Sequence, residues 1–335
     1  MSEKILAIHQ GALGDVLLSF PALVALKGER GARLAMLCKD QVGKLACGLQ
    51  VATVHFPVES ARFCGLFAKE MSHDMKAFID GYDTIVSIGF SEDISHHIGQ
   101  HHRGRTYGIT PRPPAGEEVH VAGHITRQFE VTGLLGKSGH GRKWEAKTGY
   151  GKSDIRARVS SSGHPGMEEN KGLREKDLVL IHPGAGSPRK RWALDNFMTV
   201  ALAMRDRNGA NVVFLLGPAE SDLLPLVKKQ VEGKCPIHAI EDLSEVVALM
   251  KTTRCFIGND SGLAHLAAMM GVSTVAIFGP SSPKRWRPLG KAVKVLRGVT
   301  ACAPCFETEK ANCDAPQCLS GVSADRVLVA AKGLV

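Results

Sequence analysis

Short apolar segments that run straight into a glycine recur along this chain, and no other feature limits its possible folds so tightly. Ile5-Leu6-Ala7-Ile8 leads into Gly11-Ala12-Leu13-Gly14, and Leu178-Val179-Leu180-Ile181 into His182-Pro183-Gly184-Ala185-Gly186. The run 211–216 meets Gly217, Cys255-Phe256-Ile257 meets Gly258, and Val275-Ala276-Ile277-Phe278 meets Gly279. Unbroken apolar runs of this kind suit strands buried on both faces, and a glycine just beyond lets the backbone turn sharply into a helix. Segments 33–37 and 84–88 read as further strands, and 16–27 carries helical periodicity despite Pro21. Strands alternating with helices predict an α/β protein with parallel sheets covered on both faces.

The pattern stops and restarts once. Across 136–171 the chain is rich in Gly, Ser, Lys and Arg and lacks apolar periodicity, as an exposed linker does. With 335 residues the chain is also longer than one core ordinarily serves. Two facing Rossmann-like, doubly wound domains are therefore expected, at 1–165 (with the basic linker region 136–171) and 172–335. Ligands of such sheets bind outside the C-terminal ends of the strands, so the site is expected on the glycine turns, in the cleft between domains.

Charge narrows the partners. A net charge of +9 favours anionic ligands such as phosphates, an acidic glycolipid or a membrane surface. Nucleic acid is not expected, because basic residues form no long run and aromatics, at 5%, are too few for base stacking. No apolar run nears the roughly 20 residues that span a bilayer, and the opening MSEKILAIHQGALGD lacks the marks of an export signal. A cytoplasmic protein with reduced thiols is the expectation for its nine cysteines. Cys38, Cys47, Cys64, Cys235 and Cys255 are scattered and read as packing residues.

Several turns carry chemistry. In His182-Pro183-Gly184-Ala185-Gly186-Ser187-Pro188-Arg189-Lys190-Arg191-Trp192, small residues let backbone N–H groups approach an anion and consecutive cations balance its charge; the plainer reading is a solvated basic loop before a helix near Ala193. In Gly258-Asn259-Asp260-Ser261-Gly262-Leu263-Ala264-His265, Asp260 or Ser261 can cap a helix whose first turn exposes N–H groups to an anion. A carboxylate beside a diphosphate would repel it, so Asp260 is expected either to accept backbone N–H groups or to orient Lys190. Asp15, in the turn with Gly14, is either a helix cap or a general base. Glu220 follows a strand end, where an acid can accept hydrogen bonds from ribose hydroxyls, or is a surface glutamate. His96, His97, His101 and His102 lack carboxylates or thiols at ligand spacing and run into Arg103-Gly104-Arg105, a surface suited to acidic acceptor groups. Cys302, Cys305, Cys313 and Cys318 could close a metal site, but only the first pair has CxxC spacing.

At these motifs the chain resembles the bacterial heptosyltransferases, glycosyltransferase family 9. The resemblance is carried by KILAIHQGALGDVLLSFPAL, LVLIHPGAGSPRKRWALDNF, FLLGPAES and CFIGNDSGLAHLAAMMGVSTVAIFGPSSPKRWRPLG, and by the tail CAPC…C…CLSGVSADRV; it leaves 136–171 and the His-rich loop unmatched. It implies a two-domain GT-B fold and the inverting, cofactor- and metal-independent transfer of a heptose from an ADP-sugar to a lipid A-core acceptor of lipopolysaccharide. It further implies Asp15 as the base, Lys190 as the neutraliser of the leaving diphosphate, and Ser187, Ser261 and Gly262 as phosphate ligands. Glu220 would hold the ribose, and Asp260 and His265 would complete the donor site; Gly14, and from the basic surface read above Arg103 and Arg105, are expected on the acceptor side. Peripheral contact with the inner face of the inner membrane is part of the same expectation. The Ala12-Leu13 pair, where many members carry a polar residue, and the basic linker depart from the family pattern and bear on the acceptor. A nucleotide-sugar epimerase of similar fold and a non-catalytic binder of anionic glycolipid are the alternatives.

Overall fold

The computed structural model describes residues 2–68, 70–89, 91–136, 178–305, 313 and 316–334. The chain divides into two compact units, Met1–Gly149 and Tyr150–Val335. The domain boundary expected at 165–172, and the 136–171 linker apart from Gly136, lie outside the described residues.

Unit 1 holds five parallel strands, β1 (Lys4–His9), β2 (Arg33–Cys38), β3 (Val54–Pro57), β4 (Thr84–Ile88) and β5 (Arg105–Ile109), in the order β3-β2-β1-β4-β5. Helices α1 (Leu13–Arg30), α2 (Asp40–Gly48), α3 (His73–Ile79), α4 (Glu92–His101) and α5 (Val121–Val131) connect and cover them. β1 lies at the centre, Ile5 registering with Leu34 on one side and Thr84 on the other, and every residue of β1 after Lys4 is buried. This is why the strand reads as an unbroken apolar run. α1 begins at Leu13, earlier than its apolar periodicity suggests, and passes through Pro21. Proline inside a helix costs about 3 kcal/mol. Burial of Val16, Leu17, Phe20 and Leu23, each contributing about 1.5–3 kcal/mol, outweighs that.

Unit 2 holds six parallel strands: β6 (Leu178–His182), β7 (Asn211–Leu216), β8 (Ile237–Ala239), β9 (Thr253–Asn259), β10 (Ser273–Phe278) and β11 (Val293–Arg297). Their order is β11-β10-β9-β6-β7-β8, the doubly wound arrangement of nucleotide-binding folds. The helices are α6 (Leu194–Asn208), α7 (Leu224–Val231), α8 (Leu243–Thr252), α9 (Gly262–Met269), α10 (Pro283–Trp286), α11 (Gln317–Ser320) and α12 (Ala324–Lys332). One core joins β6, β7, β9 and β10 to α6 and α12 through Ile181, Phe197, Phe214, Ile257, Ile277 and Val327.

Strand order reverses between β1 and β4 in unit 1 and between β6 and β9 in unit 2. Loops leaving the two strands at a reversal part in opposite directions and open a crevice at their C-terminal ends. All the sequence motifs that begin at β1, β6 and β9 therefore lie at these crevices. Among the described residues, no helix is long and apolar enough to cross a membrane.

Candidate functional site

At the reversal in unit 1, β1 ends on His9 and the chain turns through Gln10, Gly11 and Ala12 into α1. Ala12 is the N-cap and makes no side-chain capping bond, so Asp15, in the first helical turn, is not the cap. Its carboxylate is gripped instead by Arg112: Nη2 lies 3.1 Å from both Oδ1 and Oδ2, and Nε 3.4 Å from Oδ1. A planar guanidinium held this way fixes the direction of the carboxylate as well as balancing its charge. Gly14 precedes Asp15 in the same turn. Arg112 was not among the residues expected from the sequence. Its one local sign is that it follows Pro111 and precedes Pro113-Pro114, a stiff loop just past the end of β5.

Beside this pair the His9 ring is buried. Its Nδ1 accepts the Gly11 N–H at 3.1 Å. Burial pushes its pKa down to about 4, against the opposing pull of Asp15, so the imidazole is neutral at physiological pH. Gly11 is squeezed between the two side chains: a Cβ there would fall 2.6 Å from His9 Cε1 and 3.0 Å from Asp15 Cβ. His9, Gly11, Asp15, Ser87 and Gly89 line a cavity of about 320 Å³. A second, more open cavity of about 540 Å³, lined by Ser87, Ser95, Gln100, Thr106 and Thr110, adjoins it along α4.

Arg103 and Arg105 are elsewhere. Arg105 opens β5 and its Nη2 donates to Glu3 Oε1 at 2.9 Å. Arg103 holds Asp80 through its backbone N–H and its guanidinium. Because β5 runs parallel to β1, both arginines stand at the N-terminal edge of the sheet, a strand length of roughly 15 Å from the Asp15 edge. The structure thus does not bring these two expected acceptor-side residues to Asp15; Arg112 is the arginine that meets it. The histidine run is structural in part. His102 is buried between the Thr106 hydroxyl and the Tyr82 carbonyl, and His97 packs edge-on against His101 with ring centroids 5.0 Å apart.

At the reversal in unit 2, β6 runs into the glycine loop and a 3-10 turn, Pro188–Lys190, with Ser187 as its N-cap. Lys190 Nζ lies 2.8 Å from Asp260 Oδ2. Of the two roles foreseen for Asp260, orienting Lys190 is therefore the one its side chain takes. Its own N–H donates to Ile277 O, which ties the loop to β10. Asn259 staples the two loops together: its Oδ1 accepts the Trp192 N–H at 3.0 Å, and its Nδ2 donates to Pro183 O at 2.8 Å and Gly184 O at 3.2 Å. Nothing in the sequence singled Asn259 out beyond its place beside Asp260. Ser261 is the N-cap of α9, its Oγ accepting the Ala264 N–H at 3.4 Å. Gly262 starts the helix and His265 is buried one turn in. The Ala264 N–H is thus taken by the cap, and the start of α9 follows directly on Asp260, the partner of Lys190; a cation and a helix N-terminus together suit phosphate oxygens.

Glu220 is not a surface residue. Its carboxylate is 5% exposed, accepts the Gly217 N–H at 2.9 Å and lies 3.8 Å from His182 Nε2. It packs directly under Gly184, where any Cβ would collide with it. His182 donates from Nδ1 to Leu215 O at 3.0 Å, and burial pushes its pKa down while Glu220 opposes that. Near the C-terminus, burial and the neighbouring thiols Cys305, Cys302 and Cys313 raise the pKa of Cys318. Among the described residues, these cysteines and the histidines of α4 form no group of three or more side chains placed to hold a metal ion.

The chain is similar to known proteins in sequence and in fold. The profile of glycosyltransferase family 9 (heptosyltransferase) matches residues 109–315. The lipooligosaccharide heptosyltransferase 2 of Campylobacter jejuni is 30% identical over 169 residues, 48% of this chain and 51% of that protein. The chain spans about half or less of the length of the curated relatives it matches. Among solved structures, a family 9 glycosyl transferase from Veillonella parvula superposes with a TM-score of 0.75 at 20% identity, covering 99% of this chain and 97% of that one. An Escherichia coli heptosyltransferase solved with ADP superposes at 0.71 and 14% identity, covering 99% and 100%. These two likenesses extend over both units and make the fold the two-domain GT-B plan. With more than half of its length matched by the family profile, the chain belongs to glycosyltransferase family 9, the heptosyltransferases.

Proposed function

We propose that this protein is an inverting glycosyltransferase that moves a heptose from an ADP-activated donor onto the inner core of lipopolysaccharide, with unit 2 taking the donor and unit 1 the acceptor. The observation that carries this reading is the Lys190–Asp260 pair beside the N-terminus of α9. A cation backed by a buried carboxylate, next to a helix N-terminus, suits a phosphate oxygen whose charge grows as a bond breaks.

In the proposed step, the acceptor hydroxyl oxygen bonds to the anomeric carbon as that carbon's bond to the diphosphate breaks. The hydroxyl proton passes to Asp15, which Arg112 holds in one orientation. The electron pair of the broken bond leaves with ADP, where Lys190 and the N–H groups of the α9 terminus stabilise it, so the chain's own residues supply the charge that a metal would otherwise bring. Ser187, Ser261 and Gly262 bind phosphate oxygens, with His265 behind them, and Glu220 takes the ribose once its bond to the Gly217 N–H is exchanged. A single displacement inverts the anomeric centre. The net charge of +9 supports contact with an acidic glycolipid at the inner face of the inner membrane.

The test is a mass-spectrometric screen of the purified protein against ADP- and UDP-sugars with de-acylated core acceptors, in the presence of EDTA. The expected product is an acceptor heavier by one heptose, formed from the ADP donor and unaffected by EDTA. Failure to transfer from any ADP-sugar, or loss of transfer with EDTA, would overturn the donor or the metal-free step respectively.

A further inference from the structure

The mechanism above leaves one buried polar group at the Asp15 crevice unused. His9 is 1% exposed, and no group among the described residues meets its Nε2 in hydrogen-bond geometry, although the Asp15 backbone acts on the ring as a weak acceptor. A buried donor without a partner costs about 1–3 kcal/mol, so its retention at the end of the central strand calls for a reason. The protonation state follows from the turn. Nδ1 accepts the Gly11 N–H and carries no proton, so a neutral imidazole must carry its proton on Nε2. His9 also lines the 320 Å³ cavity together with Asp15, the hydroxyl residues Ser87 and Ser91 and the apolar Ile88 and Ile94. Nε2 itself is buried behind the wall that His9 shares with Asp15; an acceptor that displaces its cover meets a neutral N–H beside a carboxylate, a donor–acceptor pair of the kind that reads adjacent oxygens of a sugar.

We propose that His9 is an acceptor-binding residue whose Nε2–H donates a hydrogen bond to an acceptor-sugar oxygen neighbouring the hydroxyl that Asp15 deprotonates. This assignment rests on the glycosyltransferase reading given above. The bond goes to the neighbouring oxygen because donation to the attacking oxygen would stabilise its lone pairs and lower its nucleophilicity. Burial keeps the ring uncharged beside Asp15, so His9 orients the acceptor without neutralising the base. Gly11 follows from the same geometry, since a side chain there would displace the ring.

Two substitutions separate the turn from the ligand. His9→Asn keeps an acceptor near the Nδ1 position for the Gly11 N–H and removes the donor at the ε position. His9→Gln keeps a donor near Nε2 and removes the δ acceptor. With ADP-heptose and a de-acylated core acceptor, His9→Asn is expected to raise the acceptor KM about tenfold, with the donor KM unchanged, and His9→Gln to stay within about threefold. Wild-type-like kinetics in His9→Asn, with His9→Gln impaired, would assign His9 to the turn alone and overturn the proposal. A readout free of any variant is the imidazole 15N spectrum of the wild-type protein. It is expected to show the Nε2–H tautomer with a resonance that shifts on adding acceptor; an unchanged resonance at saturating acceptor would overturn the proposal even if both variants misfold. If the wild-type protein transfers heptose to no acceptor, the functional reading falls and this one with it. If transfer is normal and His9→Asn is silent, only the role of His9 falls.

Discussion

At the β1/β4 reversal of unit 1, an acid in the first turn of a helix is held by an arginine that arrives from a loop after the last strand of the sheet. At the β6/β9 reversal of unit 2, a lysine in a glycine-rich loop is held by an acid that immediately precedes a helix. Both crevices thus contain one carboxylate–cation pair at the C-terminal strand ends, on the same doubly wound plan. They differ in which partner stands in front. Asp260 is 4% exposed and Lys190 17%, so unit 2 presents a cation, reinforced by the helix terminus. In unit 1 the carboxylate stays at the cavity wall at 11% exposure, with the arginine outside it at 37% and a neutral imidazole beside it. One crevice therefore presents a cation and the other a carboxylate, the division that the proposed transfer requires. On one fold plan, the burial order of two side chains, rather than the backbone, sets the charge presented.

The sharpest way to break this contrast is at its two charged centres. Asp15→Asn keeps the size of the side chain and removes the base; transfer is expected to fall by about a thousandfold, while ADP affinity measured by calorimetry stays unchanged. Transfer within tenfold of wild type would remove Asp15 from the chemistry. Lys190→Met is expected to lower kcat by about a hundredfold and also to lower the melting temperature, since Asp260 is then a buried carboxylate without its cation. Adding Asp260→Asn should restore the melting temperature and leave the rate low. Joint recovery of both would mean that the pair serves only the fold.

A smaller effect sharpens the comparison from the side of His9. Its folded pKa of about 4 lies below the ordinary 6.5, so the unfolded chain binds the proton more readily. The neutral ring therefore contributes its full stabilisation above pH 6.5 and loses it as pH falls from 6.5 towards 4. The loss amounts to about 3 kcal/mol across that window. Urea midpoints measured at pH 7 and pH 4.5 should differ less in His9→Gln than in the wild type; equal differences would show that the ring is not buried neutral. The residual slope in the variant is expected to include His182, which is shifted the same way by burial.

What sequence reveals and what it hides here follows from chain distance. Strands β1, β6, β7, β9 and β10 and their glycine exits were legible because burial on both faces leaves a local mark, a run of apolar residues, that needs no knowledge of neighbours. Lys190, Asp260, Ser261 and Gly262 were legible for a related reason: each belongs to a short segment running directly from a strand end to a helix start. Arg112 was not, because it meets Asp15 across 97 positions, and only the parallel placing of β5 at the edge of the sheet brings the two together. Asn259 bridges to Pro183 across 76 positions and gives no local sign of doing so.

The amino-acid sequence by itself determined an α/β protein of two doubly wound halves, the glycine turns at its strand ends, and the family to which the motifs belong, since all of these depend on periodicity and spacing within a few turns. Only the tertiary structure decided which cation serves Asp15, which way Glu220 faces, that Arg103 and Arg105 stand at the far edge of the sheet, and that the His9 ring is buried beside Asp15. Those depend on strand order and direction, which fix where distant side chains meet, and a linear pattern carries neither.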